Sequence, residues 1–205
     1  MNGTASAIVV MGVAGCGKSS VAHAVAARLG GRFIEGDAFH CAASVDKMRR
    51  GIGLVDADRW GWLDRLAAEL KETCARGEPV VLACSALKRR YRDRLRLGSP
   101  SAKFVFLDLP PHEAAKRVGS RSGHFMSDSL VASQFADLEA PVAEPSTLTV
   151  NAMLPVDAIV AQAIDWHAGV SLDEREHRLI DKDSAVFDAG AARRISRIHE
   201  ANPNF

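Results

Sequence analysis

The chain has 205 residues, 26 of them Lys or Arg and 25 Asp or Glu, for a formal net charge of +1 with histidines neutral. That balance offers no bulk field to attract nucleic acid or an anionic membrane, and the length suffices for one α/β domain with a full core and a small appendage. No apolar run approaches the length of a membrane span, and the first residues lack the charged start and long apolar stretch of a signal peptide, so a soluble, cytoplasmic protein is expected.

The predicted elements begin with a buried strand, Ala7 to Met11, followed at once by Gly12-Val13-Ala14-Gly15-Cys16-Gly17-Lys18-Ser19. The spacing G-x-x-x-x-G-K-S/T marks a phosphate-binding loop. Its glycines let the backbone curl so that N–H groups point inward, Lys18 meets the β/γ-phosphates, and Ser19 offers a hydroxyl to Mg²⁺, with Ser20 beside it. A helix over Lys18 to Leu29, with Val21, Val25 and Leu29 at helical spacing, aims the positive end of its dipole at the same anion. Cys16, beside that helix start and near Lys18, is expected to have a lowered pKa and to be open to alkylation, with ATP protecting it.

Further strands are predicted at Phe33 to Ile34, Val80 to Ala83, Phe104 to Leu107 and Leu148 to Val150. Helical patterns lie between them, the alternation of a parallel sheet covered on both faces. The clearest helix runs from about Arg59 to Arg76, with Trp62, Leu63, Leu66, Ala67 and Leu70 as a core-facing stripe and Gly77 as its stop. The basic run Lys88 to Arg96 reads as a solvated helix face, an RNA contact being the weakest reading of it. Pro111 fits the first turn of a helix continuing to about Ser120, and Pro155 opens another reaching Trp166. Cys16, Cys41, Cys74 and Cys84 show no C-x-x-C pairing and no histidine partners at zinc-finger spacing, so they read as free thiols in a reducing compartment. Residues 1–168 read as one domain and 169–205 as a charge-rich extension, helical or loosely ordered.

Beyond the loop, a set of segments in one order resembles the gluconate kinase family of small P-loop kinases. They are Gly36-Asp37-Ala38-Phe39-His40, Lys47-Met48, Asp56-Ala57-Asp58-Arg59, Trp62-Leu63, Cys84-Ser85-Ala86-Leu87-Lys88, Tyr91-Arg92-Asp93, Arg121-Ser122-Gly123-His124-Phe125 and Ser133-Gln134-Phe135. The resemblance spans about Ile8 to Trp166 and implies an α/β P-loop kinase fold: a five-stranded parallel sheet flanked by helices, a small lid at about 117–130 and the C-terminal extension. It also implies ATP and Mg²⁺, phosphorylation of D-gluconate at its terminal hydroxyl to 6-phospho-D-gluconate, and a homodimer.

Phosphoryl transfer to an alcohol needs alignment and charge neutralisation more than covalent help from the protein. By the resemblance, Lys18, Asp37 and Arg121 are the catalytic residues, with Asp37 orienting the acceptor hydroxyl and taking its proton. Arg59 is the expected partner of the gluconate carboxylate, with His40, Lys88, His124 and Gln134 as further acceptor contacts. Arg117 is expected against adenine, with Arg121 reaching the phosphates. The loop residues Gly12, Val13, Ala14, Gly15, Cys16, Gly17, Lys18, Ser19 and Ser20 complete the nucleotide site, and Ser19 is the metal ligand.

The sequence departs from the family pattern on the substrate-facing half. Cys41 follows His40 where the family has proline, Ser44 stands for asparagine, Gly53 and Gly61 for prolines, and Ala57 interrupts the acidic run. Another small sugar acid therefore stays open as acceptor, as does a nucleotide-binding regulator impaired in turnover. A shikimate-like alcohol fits less well, because Glu35-Gly36-Asp37 lacks that family's Asp-x-Asp. The strand Val80 to Ala83 ends in Cys84-Ser85 without a Walker B aspartate, which leaves Ser19, water and Asp37 to hold the metal.

Overall fold

In the computed structural model, which describes residues 6–120 and 128–170, the first strand, β1 (Ala7–Met11), is apolar at every position and wholly buried. A strand with no polar face must be covered on both sides, and β1 lies in the middle of a five-stranded sheet. Its neighbours are β3 (Val80–Ala83) and β4 (Lys103–Asp108), with β2 (Arg32–Glu35) and β5 (Thr147–Asn151) at the edges, in the order β2-β3-β1-β4-β5 and parallel throughout. Val9 stands opposite Leu82 on one side and Phe104 on the other. The predicted strands are all present; the edge strand β2 is longer than expected because its end residues Arg32 and Glu35 pair through the backbone whatever their side chains.

Seven α-helices are present among the described residues. These are α1 (Lys18–Leu29), α2 (Ala42–Arg49), α3 (Asp56–Ala75), α4 (Arg89–Arg96), α5 (Pro111–Gly119), α6 (Asp128–Asp137) and α7 (Val156–His167), with a 3₁₀ turn at Gly36–Phe39. β1 sends the chain on towards one edge of the sheet and the adjacent β4 towards the other. The carboxyl ends of such diverging strands open a crevice in which α/β proteins bind ligands. Two units divide the chain, residues 1–164 and 165–205; of the second, 165–170 are described, where the amide of Gly169 donates to Trp166 and that of Val170 to Asp165.

α3 starts three residues before the expected Arg59. Asp58 explains this: its amide donates to the Val55 carbonyl and its carboxylate accepts the Val55 amide, both at 3.0 Å, so acidic residues cap the first turn where apolar spacing gives no signal. From there Trp62, Leu63, Leu66 and Leu70 enter the main core with Met11, Leu82 and Phe104. Gly98, after α4, lies so close to α3 that a Cβ would stand 2.0 Å from the Ala67 carbonyl oxygen.

The basic run is solvated on one face only: Arg89, Arg90 and Asp93 are exposed, whereas Tyr91, Arg92 and Leu95 of α4 are buried. Arg92 is fully enclosed, and all five of its donors are used. Nη1 donates to the carbonyls of Ala86 (2.9 Å) and Leu87 (3.0 Å), Nε to Glu144 Oε2 (2.9 Å), and Nη2 to the Glu139 carbonyl (3.1 Å) and Glu144 Oε1. The Arg92 hydrogen bonds hold the Glu144 carboxyl below the usual glutamate range.

A carboxyl depressed on folding adds stability that is fully present above its ordinary pKa and is lost as pH falls through the depressed value. Urea unfolding of Glu144→Gln, followed from neutral to acid pH, is expected to show a lower plateau and a shallower acid limb than the wild type. Two glycines should respond with opposite sign in the same assay. Gly98→Ala should lose roughly 1–3 kcal/mol or more, because the opposing α3 backbone cannot give way. Gly61→Ala should gain about 0.5–1 kcal/mol, since Gly61 lies on the exposed face of α3 with only Arg65 Nη1, at 3.9 Å, near its Cβ position.

Candidate active site

The loop between β1 and α1 turns on glycine. Gly12 has φ +138° and no room for a Cβ, which would lie 2.8 Å from the Leu107 carbonyl oxygen, and Gly17, with φ +95°, is the N-cap of α1. Lys18 Nζ donates to the Val13 carbonyl at 3.0 Å, and the Ala14 amide donates to Gln134 Oε1 of α6 at 2.7 Å. Ser19 and Ser20 are exposed on the first turn of α1. Arg117 reaches from α5 to the Gly15 carbonyl (3.5 Å) and places both Nη atoms 3.2 Å from the Ala152 carbonyl, joining the loop to the segment after β5.

Cys16 corrects the expectation of an activated thiol. It is buried, and burial pushes its pKa up by more than Lys18 and the local amides pull it down. Proximity to a helix start lowers a thiol pKa only where the thiolate can be solvated. Cys41 shows the reverse: it is exposed, its sulfur lies 3.3 Å from the Ser44 hydroxyl, and that hydrogen bond lowers its pKa.

An open cavity lies beside Lys18. Asp37, His40, Arg59, Trp62, Ser85 and Gln134 contribute to its wall, with Met48, Gly53, Leu54, Leu130 and Ser133. Asp37 stands on the 3₁₀ turn after β2, with an exposed side chain. His40 Nε2 faces its Oδ1 at 3.8 Å, and the imidazole stacks on Trp62 with centroids 4.3 Å apart. Trp62 is itself fixed by its Nε1–H donating to the Gly36 carbonyl at 2.7 Å. Burial lowers the His40 pKa, so the ring is neutral at pH 7, and its Nδ1 is buried without a hydrogen-bond partner among the described residues.

Arg59 is buried at the cavity wall, but Asp56 and Asp58 are not its partners. Its Nη2 pairs with Asp137 Oδ2 at 3.2 Å, its Nη1 lies 3.5 Å from the Tyr91 hydroxyl, and its guanidinium carbon sits 5.3 Å from the Tyr91 ring centroid. Lys88 is held by Asp137 Oδ1 (2.8 Å) and Asp56 Oδ1 (3.1 Å), and these hydrogen bonds, the Asp137 one foremost, raise its pKa. Asp56 also accepts from Tyr91 and pairs with Arg90, while Asp58 pairs with Lys47 at 2.6 Å.

The structure thus brings Lys18, Asp37, His40, Arg59 and Gln134 to one cavity. Lys88 faces two carboxylates instead, one residue removed from the wall, and Arg121 and His124 lie outside the described residues. Ser85 and Asp137 were not singled out as site residues from sequence, and Trp62, read as core, belongs to core and cavity alike. Asp137 follows Ser133-Gln134-Phe135 closely, but nothing in one sequence marks a carboxylate two residues past a motif as the partner of an arginine far upstream.

An AAA domain model matches residues 8–145. The gluconokinase of Gluconobacter oxydans is 44% identical over 157 residues, covering 77% of this chain and 88% of its own. The chain belongs to the gluconokinase family. The thermosensitive gluconokinase of Escherichia coli is 36% identical over 180 residues, 88% of this chain and 95% of that one. Among solved structures, a gluconokinase from Sinorhizobium meliloti superposes with a TM-score of 0.70 at 44% identity, covering 86% of this chain and 97% of its own. A sugar kinase from Janibacter sp. gives 0.76 at 42% identity, covering 80% and 95%. As a member of the gluconokinase family the chain is a kinase, and its glycine loop is a nucleotide site.

Titration of the folded protein with a thiol reagent is expected to modify Cys41 first, with Cys16 and Cys84 protected until unfolding. Loss of the fast phase in Cys41→Ser, measured by mass of the labelled peptides, is the expected result.

Proposed function

We propose that this kinase transfers the γ-phosphoryl group of ATP to the terminal hydroxyl of D-gluconate, giving 6-phospho-D-gluconate. The observation that carries the reading is the meeting of Lys18, Asp37 and Arg59 on one cavity wall, a phosphate-binding cation, a carboxylate base and a carboxylate-binding guanidinium. On this reading the acid lies with its carboxylate at Arg59 and its far hydroxyl towards Asp37 and the phosphate loop. Asp37, exposed to the cavity, accepts the hydroxyl proton as the oxygen attacks phosphorus. His40 lines the same cavity beside Asp37, and Lys18 neutralises the charge gathering on the transferred group. The curated relatives named gluconokinase support the choice of acceptor.

Mg²⁺ fits the donor set, a hydroxyl at Ser19 and an exposed carboxylate at Asp37, because it keeps several waters and phosphate oxygens and asks few ligands of the protein. Cys84, where some P-loop enzymes place an acidic metal partner, has its thiol pushed up to about 12 by burial and stays protonated. When bound, the ion offsets charge on the bridging phosphates. The same reading makes residues 1–168 the kinase body, with its lid at about 117–130, and keeps Arg121 and His124 as site residues. It places the protein in the cytoplasm, in keeping with four free cysteines, as a homodimer acting without nucleic acid or membrane.

The test is ATP consumption with D-gluconate, other aldonates, shikimate and neutral sugars offered in parallel. Selective turnover with gluconate is expected, with kcat falling roughly 10²–10⁴-fold in Asp37→Asn while ATP affinity holds. Turnover confined to another acid would transfer the reading to that acceptor, and ATP binding without turnover on any acceptor would replace it with a regulatory role.

A further inference from the structure

Asp137 ends α6 and divides its carboxylate between two cations, Oδ2 to Arg59 Nη2 at 3.2 Å and Oδ1 to Lys88 Nζ at 2.8 Å. It is a fixed point. One turn earlier on the same helix, Gln134 Oε1 accepts the Ala14 amide at 2.7 Å, so the turn carrying Asp137 is tied to the phosphate-binding loop. Arg59, with a side chain 9% exposed, is therefore referenced through α6 to the site of the phosphoryl donor, and Tyr91 limits its movement on the other side. The surrounding charges have a definite sum. Arg59, Lys88 and Arg90 face the carboxylates of Asp56 and Asp137, three cations against two anions, which leaves one positive charge over. Among the described residues of this network, Arg59 is the cation on the cavity wall.

We infer that Asp137 is a positioning residue that sets acceptor specificity by holding Arg59 at a set place relative to the phosphate loop, so that a singly charged acid is gripped with its distal hydroxyl in line with the donor. The inference rests on the gluconate reading for the identity of the acid, but the role of Asp137 follows from the network. An asparagine at this position has the right shape and one acceptor oxygen; its amide nitrogen would face either Arg59 or Lys88, donor against donor. One of the two cations is then released, and an Arg59 without its carboxylate partner loses the set position that suits it to a substrate carboxylate.

The experiment measures KM for D-gluconate, the inhibition constant of D-glucitol as its uncharged counterpart, KM for ATP, and thermal stability, in wild type, Asp137→Asn and Asp137→Glu. In Asp137→Asn, KM for gluconate is expected to rise about 10–100-fold, the loss of a charge-assisted hydrogen bond. The glucitol constant and KM for ATP should stay within about threefold, and Asp137→Glu should recover part of the preference for the acid. The asparagine change should also have little further effect on KM in an Arg59→Lys background, since residues acting through one another are not additive. Equal weakening towards gluconate and glucitol, or full additivity with Arg59→Lys, overturns the inference. If Asp137→Asn does not fold, the Asp137→Glu pair of constants decides: an unchanged acid-to-polyol ratio overturns it and a reduced ratio supports it. Should wild type prefer a different acid, the same comparison with that acid and its neutral analogue tests Asp137, and only the gluconate reading falls.

Discussion

Arg92 gathers the carbonyls of Ala86, Leu87 and Glu139 and the carboxylate of Glu144 around one fully buried guanidinium. Those groups come from the segment after β3 and the segment after α6, which no sheet ladder joins; Arg92 binds them together, with the Glu139 amide donating to the Leu87 carbonyl at 2.9 Å alongside it. Ala86 adopts a left-handed φ of +43°, a conformation that costs an alanine about 1–3 kcal/mol and persists only where its surroundings compel it. Lys88 stands two residues after Ala86 and Asp137 precedes the second segment, so the charge network behind Arg59 adjoins a buried guanidinium all of whose donors are met.

The two halves of the site are built by different means. On the nucleotide side the backbone is the instrument: a wholly buried β1 delivers the chain to a turn in which glycine alone fits, and α1 begins where that turn ends. On the acceptor side the instrument is side-chain charge, from α3, α4 and α6, linked by shared carboxylates at Asp56 and Asp137. α6 belongs to both, with Gln134 on the loop and Asp137 on the cations.

Burial is the quantity that local reasoning misjudged. Cys16 sits where position along the chain argues for an activated thiol, yet the loop closes over it and desolvation dominates. The run from Lys88 to Arg96 looks uniformly hydrophilic, yet Arg92 is among the most enclosed side chains of the protein while Arg89 and Arg90 remain in solvent. For Arg92 the decisive neighbour, Glu144, lies 52 residues away in the sequence.

Short-range rules carried much of the chain. Five strands, the helices from Lys18, Pro111 and Pro155, and the phosphate-binding loop are legible in the sequence because each depends on residues within one turn or one strand of each other: apolar runs, glycine at fixed spacing, proline at a first turn. The ordered set of motifs named the family for the same reason. What only the tertiary structure decided is which charges meet. Arg59 pairs with Asp137 rather than with Asp56 or Asp58, Lys88 turns to two carboxylates, and His40 lies on Trp62 beside Asp37. Coulombic and hydrogen-bond partners are chosen by distance in space, and distance in space is set by how α3, α4 and α6 pack on the sheet, which no local pattern of residues encodes.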